Sequence, residues 1–138
     1  MFQRILLPVD LTEKHERALN IAAEFAGRSG EITLLHVIEV IPGLSMDEER
    51  AFYNRLERLA RSHIDKLGSL LEKRKVSWKS QVLFGNRAQE SIRYAIEAAA
   101  EVIVLTAPRI DPANPTSDWG SLGYKIGILS QCPVLLVK

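Results

Sequence analysis

Cysteine is nearly absent from this chain of 138 residues, which contains only Cys132. A single thiol excludes a disulfide within the chain and suits a reducing compartment. An excess of charge of one sign is also missing, because 18 basic residues are balanced by 17 acidic ones, for a net charge of +1. No general electrostatic field therefore attracts the chain to nucleic acid or to an anionic membrane surface.

Long hydrophobic runs are missing too, and none approaches the roughly 20 residues of a membrane-spanning helix. Residues 1–4 lead straight into a short apolar run, without the pattern of a secretory signal peptide. The composition, 46% hydrophobic and 25% charged, is typical of a globular protein. The length suits one domain. We therefore expect a single cytoplasmic domain over residues 1–138, with no membrane or nucleic-acid partner.

Four short runs are continuously apolar and rich in branched residues, at 5–9, 32–38, 102–105 and 134–137. Runs without polar alternation favour strands that are covered on both faces, as in a parallel sheet under helices. A fifth run, 76–84, alternates between apolar and polar residues. This alternation predicts a strand nearer an edge of the sheet.

The intervening segments have helical spacing of apolar residues. It predicts helices from about Thr12 to Arg28, closed by Gly30, from Met46 to about Lys75, after a cap at Asn86, and over about 120–130. Strand and helix alternate, which implies parallel strands with right-handed crossovers. The side chains expected to face the core are Ala18, Ile21, Ala22, Phe25, Phe52, Leu56, Leu59, His63, Leu67, Leu70, Ala88, Ile92, Ala95, Ile96 and Ala99.

Two segments are candidates for ligand binding, because ligands of parallel α/β sheets bind beyond the carboxyl ends of the strands. One is Pro8–Asp10, after the first strand. The other is the loop 107–119, which leads into Gly120 and Ser121 at a predicted helix start. A helix start offers unpaired N–H groups and a partial positive charge.

The chain resembles the universal stress protein family along its whole length. The resemblance rests on 5–10 (ILLPVD), 34–39 (LLHVIE), Gly85 before a helix, Gly120–Ser121 and 132–137 (CPVLLV). It implies an α/β fold in which a five-stranded parallel sheet, of order 3-2-1-4-5, carries helices on both faces. It also implies a homodimer through the C-terminal strand, here residues 133–138.

Family members that bind ATP carry a loop of Gly, two residues, Gly, nine residues, then Gly-Ser or Gly-Thr. Counted back from Gly120 and Ser121, the first two glycines fall on Ala107 and Ile110. Glycine lets backbone N–H groups approach phosphates, often at positive φ. Ile110 is β-branched and resists positive φ, and Pro108 has no N–H to donate. The loop is therefore interpreted as degenerate.

The nucleoside half of the family's site is retained. The resemblance implies that Asp10 meets the ribose or adenine, that Val37 lines the base pocket, and that Gly120, Ser121 and the N–H of Leu122 form a helix start. On that pattern ATP or AMP is a possible ligand.

Simpler structural roles stay open for these residues. Asp10 is equally suited to cap the first helix together with Thr12, and Gly120–Ser121 to do no more than begin a helix. The histidines His15, His36 and His63 are expected on a surface helix, in a buried strand and on a helix stripe. Their spacing builds no zinc site, so we expect structural roles.

The sequence favours a non-enzymatic stress-response protein that acts as a homodimeric binding or regulatory module with a degenerate nucleotide site. Pairing of the apolar strand 133–138 across a two-fold axis would cover an edge that otherwise invites aggregation. The alternative is a switch that binds ATP or AMP, with slow ATP hydrolysis. No acid–base pair or metal site in the sequence supports another catalytic activity.

Overall fold

The computed structural model describes residues 1–107, residue 113 and residues 122–138. Strands and helices alternate throughout these ranges, as the hydrophobic pattern predicts. They are, in chain order, β1 (Arg4–Pro8), α1 (Glu16–Ala26), β2 (Glu31–Ile38), α2 (Arg50–Lys73), β3 (Ser77–Phe84), α3 (Arg87–Glu97), β4 (Val102–Thr106), α4 (Leu122–Leu129) and β5 (Val134–Val137).

The strands form one parallel sheet in the order β3-β2-β1-β4-β5, which confirms the predicted order. The strand that alternates in sequence, β3, lies at an edge, also as predicted. The contact between β1 and β4 is short, since only Ile5 with Val102 and Leu6 with Ile103 are in register. Pro8 has no N–H with which to extend that ladder.

Hydrophobic clusters cover both faces of the sheet. On one face α1 and α2 pack over alternate residues of β1 and β2, including Ile5, Leu7 and Leu34. On the other face α3 and α4 pack over Leu6 and Leu35, among others. Successive side chains of a strand point to opposite faces, so each central strand contributes to both clusters. This double coverage explains why these strands are continuously apolar in sequence.

Helix α1 is shorter than the sequence predicted. It begins at Glu16 rather than near Thr12, because the preceding residues form a turn around the Asp10 carboxylate. It ends at Ala26 and is followed by Gly27, whose φ of +59° is open to glycine and costly for other residues. Gly30, the predicted closing residue, lies beyond that end.

Helix α2 also begins later than predicted, at Arg50 rather than Met46. Its buried face includes Tyr53, whose hydroxyl accepts from one loop N–H and donates to one carbonyl. The predicted stripe was partly wrong, since Leu59 is 55% exposed. The buried set of this helix is offset from that stripe and consists of Tyr53, Ala60, Ile64, Leu67, Gly68 and Leu71.

Helix α3 begins as predicted, because the Asn86 side chain accepts a hydrogen bond from the N–H of Gln89 at 3.0 Å. Its predicted inward face was wrong at Ile96, which is 51% exposed. Ala99 lies beyond the helix at a φ of +53°. Within the ranges described, no helix is both long and apolar enough to cross a membrane.

Candidate functional site

A cavity of about 200 Å³ lies at the carboxyl edge of the sheet, beyond the ends of β1, β2 and β4. The strand order reverses between β1 and β4, so this is the point at which α/β sheets bind ligands. The described residues that line it are Pro8, Val9, Asp10, Lys14, His15, Leu35, His36, Val37, Arg87, Ser91, Leu105, Thr106, Leu122 and Gly123.

Asp10 follows β1 and organises the turn that leads to α1. Its Oδ1 accepts from the N–H of Thr12 at 3.2 Å and from the Thr12 hydroxyl at 2.5 Å. Its Oδ2 lies 2.9 Å from Nζ of Lys14. The helix-cap interpretation of Asp10 and Thr12 was wrong, because α1 begins after His15 and has no side-chain cap.

The Asp10 carboxylate is held ionised by its neighbours. Partial burial raises its pKa, but hydrogen bonds from Thr12, Lys14 and His15 outweigh burial and place the pKa well below the usual range. Asp10 therefore contributes a fixed negative charge to the described lining of the cavity at neutral pH. Because Lys14 is the one partner of Oδ2 among the described residues, this oxygen retains acceptor capacity for a further hydroxyl.

His15 is a part of this site that the sequence reasoning missed. It was expected on a surface helix, but it is buried just before α1. Its Nε2 lies 2.7 Å from Oδ1 of Asp10, and its Nδ1 lies 2.8 Å from Oγ1 of Thr106. Burial lowers the pKa of His15 more than the nearby Asp10 raises it, so the ring is neutral at pH 7. The backbone N–H of Asp10 also donates to Nε2, at 3.1 Å, so both ring nitrogens are engaged by Asp10 and Thr106.

This chain of three side chains joins the end of β1 to the end of β4. No sequence signal shows it, since a histidine seven residues after the end of a strand has neither strand nor helix periodicity. The position becomes predictable only once α1 is known to begin at Glu16.

His36 confirms the expectation of a buried strand histidine and also lines the cavity. Its Nδ1 donates to the carbonyl of Val9 at 2.8 Å. Burial is the main cause of its lowered pKa, and the nearby Arg87 lowers it further. The neutral ring therefore has an acceptor at Nε2, which has no hydrogen-bond partner among the described residues.

His63 lies on α2, where its Nε2 donates to the carbonyl of Thr12 at 3.0 Å. This bond holds the turn after β1 from outside the cavity. In the part of the chain that the structure describes, no three His, Cys, Asp or Glu side chains are grouped so as to hold a metal ion.

The structure brings together three of the residues that the sequence proposed. Asp10, Val37 and Leu122 all line the cavity. Gly120, Ser121 and Ile110 lie outside the described residues. Ala107 does not line the cavity, and its N–H donates to the carbonyl of Val137 at 2.7 Å, which continues the β4–β5 ladder.

Helix α3 contributes two cavity residues that the sequence reasoning also missed, Arg87 and Ser91. A signal for Ser91 exists, because it shares helical spacing with the buried residues Ala88 and Ala95. A serine on an otherwise apolar helix face indicates a polar use of that position.

The model of the universal stress protein family matches residues 1–138, the full chain. The chain belongs to this family. A Bacillus subtilis (strain 168) relative, universal stress protein YxiE, is 24% identical, and the alignment covers 100% of both proteins.

Solved structures show the same fold. That of hypothetical protein MJ0577 has a TM-score of 0.83 and 26% identity, and the match covers 100% of this chain and 96% of that one. The universal stress protein from Archaeoglobus fulgidus in complex with dAMP has a TM-score of 0.74 and 20% identity, with 99% and 98% of the chains covered.

Proposed function

We propose that this chain is a non-enzymatic regulatory module of the stress response that binds an adenine nucleoside or nucleoside monophosphate. The cavity at the strand-order reversal carries the proposal, because the Asp10 carboxylate and Val37 line it together. A protein of the same fold has been solved with dAMP, which supports an adenine ligand. In the proposed pose the base lies against Val37, and Oδ2 of Asp10 accepts from a ribose hydroxyl.

The backbone hydrogen bond of Ala107 supports a ligand smaller than ATP. Its N–H already donates to Val137, so it is not available to a phosphate. The sequence offers no N–H at Pro108 and places a β-branched side chain at Ile110, where a phosphate loop has glycine. The loop thus lacks several of the donors that a triphosphate needs.

The hydrogen bonds of His15 argue against its use as a general base. A general base needs a free ring nitrogen within reach of the proton that it removes. Both ring nitrogens of His15 are used, by Asp10 and by Thr106. The His15 imidazole is therefore not available as a base and serves to hold the site together.

A titration series tests this proposal. We expect AMP and adenosine to bind at one per chain by calorimetry, and a ligand at 100 times its Kd to add about 2.7 kcal/mol to the free energy of unfolding. Asp10→Asn should weaken the affinity for both ligands. The control variant Asp47→Asn, which changes an exposed aspartate outside the cavity lining, should leave both affinities unchanged. Absence of binding by every adenine compound would refute the proposal.

The loop has a separate test. Restoring glycine at positions 107 and 110 should increase affinity for ATP with magnesium and leave adenosine unchanged. If the unmodified chain binds ATP as tightly as the glycine variant, the interpretation of the loop as degenerate is wrong. The alternative of an ATP-dependent switch would then be favoured.

A homodimer through residues 133–138 is the second part of the proposal. It is supported by the position of β5 at the sheet edge and by the exposure of apolar side chains nearby. Leu136 on β5 is 43% exposed, and Ile128 and Leu129 on α4 are each 61% exposed. We propose that the dimer is cytoplasmic and that each of its chains is a single domain. Sedimentation or light scattering measures directly whether the chain is dimeric.

A further inference from the structure

The hydroxyl group of Ser91 has no hydrogen-bond partner among the residues that the structure describes. The residue is 1% exposed and lines the cavity. Among the described residues, every side-chain polar atom that is fully enclosed has a hydrogen-bond partner. The unpaired hydroxyl of Ser91 is therefore not fully enclosed, and the small exposed area of this residue lies at its hydroxyl, which faces the cavity. Buried polar groups are nearly always paired, and an unpaired one at a cavity indicates a ligand partner.

Arg87 lies one helical turn before Ser91 on α3, at a spacing that places both on the same side of the helix. It is the first residue of α3, where the helix dipole disfavours a cation. Among the described residues its ion pair is with Glu39, at 3.8 Å and with both side chains about half exposed. Neither local helix stability nor such a weak pair accounts for a cation at this position.

The rest of the lining has the same electrostatic character. Lys14 and Arg87 contribute two positive charges, and Asp10 contributes the one carboxylate among the described lining residues. His36 is neutral and offers an acceptor at Nε2. The described lining residues therefore carry one net positive charge, together with a hydroxyl and an acceptor that have no partner among the described residues. That combination suits a small ligand with one anionic group and several hydrogen-bonding groups.

We propose that Arg87 and Ser91 bind the phosphate of a nucleoside monophosphate, so that the phosphate lies against the start of α3 and not in the loop 107–119. The inference rests on the proposed function and names the part of the ligand that α3 recognises. The guanidinium of Arg87 forms charge-assisted hydrogen bonds with phosphate oxygens, and the Ser91 hydroxyl donates to a third.

Calorimetric titration of the full chain with AMP, adenosine and inorganic phosphate tests the inference. The variants are Arg87→Gln and Ser91→Ala, and the matched control is Arg93→Gln, at an exposed arginine of the same helix that pairs with Glu90 and Glu97. We expect the unmodified chain to bind AMP about tenfold more tightly than adenosine. Arg87→Gln should abolish this preference and leave adenosine unchanged. Ser91→Ala should weaken AMP about fivefold, and Arg93→Gln should match the unmodified chain.

The outcomes separate this inference from the proposed function. If adenosine binds and both α3 variants keep the full affinity for AMP, the α3 phosphate site is refuted and the proposed function stands. If neither adenosine nor AMP binds but inorganic phosphate binds and Arg87→Gln abolishes it, the anion site is supported and the adenine ligand is refuted. If none of the three compounds binds, both are refuted. Circular dichroism of each variant shows whether it is folded.

Discussion

Replacing Ser91 by alanine should stabilise the ligand-free protein. The hydroxyl is nearly enclosed and has no partner among the described residues, so its removal relieves a desolvation cost and breaks no hydrogen bond. Alanine is also the better helix former at an α3 position, by a few tenths of a kcal/mol. Because the hydroxyl borders a cavity and is not fully enclosed, we expect a modest gain of about 0.5–1.5 kcal/mol in the free energy of unfolding.

Thr106→Val provides the contrasting variant at the same cavity. The Thr106 hydroxyl lies 2.8 Å from Nδ1 of His15, so valine keeps the shape of the side chain and removes the partner of a buried ring nitrogen. This change should lower the free energy of unfolding by about 1–3 kcal/mol. Two hydroxyls that line one cavity are thus expected to respond with opposite signs.

Urea denaturation followed by circular dichroism measures both variants, with unchanged m values as the check that the unfolded states are comparable. The gain for Ser91→Ala corresponds to a rise in Tm of about 2–6 °C for a chain of this size. Saturating AMP should remove the advantage of the alanine variant, because the ligand then pairs the hydroxyl of the unmodified chain. A loss of more than about 0.5 kcal/mol for ligand-free Ser91→Ala would refute the reasoning, since it would show that the hydroxyl has a partner in the protein.

Three further predictions concern other parts of the chain. The pKa of Asp10 is lower in the folded state than in the unfolded state. Its contribution to stability is therefore present above the unfolded pKa of about 3.9 and is lost as pH falls toward the folded pKa. We expect Asp10→Asn to flatten the acid side of a Tm–pH profile. Gly68→Ala should lower the free energy of unfolding, measured in urea, by about 1–2 kcal/mol despite the better helix propensity of alanine, because the new Cβ would overlap the Trp78 ring. Unchanged stability would show that the ring moves freely. Leu136→Lys should shift a dimer to monomer in sedimentation equilibrium, and an unchanged mass would place the interface elsewhere.

The fold was predictable because its signals are local and redundant. Each central strand is apolar on both faces, and the alternating residues of 76–84 identified β3 as an edge strand. The Asn86 cap was predictable from residue type alone. The starts of the helices were less predictable. The turn around Asp10 places the start of α1 four residues later than predicted, through side-chain hydrogen bonds that leave no periodic pattern in the sequence.

The cavity was predictable only in part. Asp10 and Val37 follow from the resemblance to the family and from their positions near strand ends. Arg87, Ser91 and His15 enter the cavity through tertiary packing, since each belongs to a segment whose distance from the cavity depends on how the helix packs on the sheet. Sequence spacing shows which side chains share a helix face, but it does not show what that face meets.

The short ladder between β1 and β4 leaves the carboxyl ends of these two strands without backbone pairing in register. Backbone pairing in register extends only from Ile5 to Leu6, and at the amino end the Glu101 carboxylate accepts from the N–H groups of Gln3 and Arg4. At the carboxyl end the bond from His15 to Thr106 joins the two strand ends in place of a backbone ladder. A hydrogen bond between side chains breaks by rotation about single bonds, whereas the backbone hydrogen bonds of a strand ladder must break together. The carboxyl ends of β1 and β4 are therefore joined by a rotatable side-chain contact, and we expect amide exchange near Thr106 to report when that contact opens.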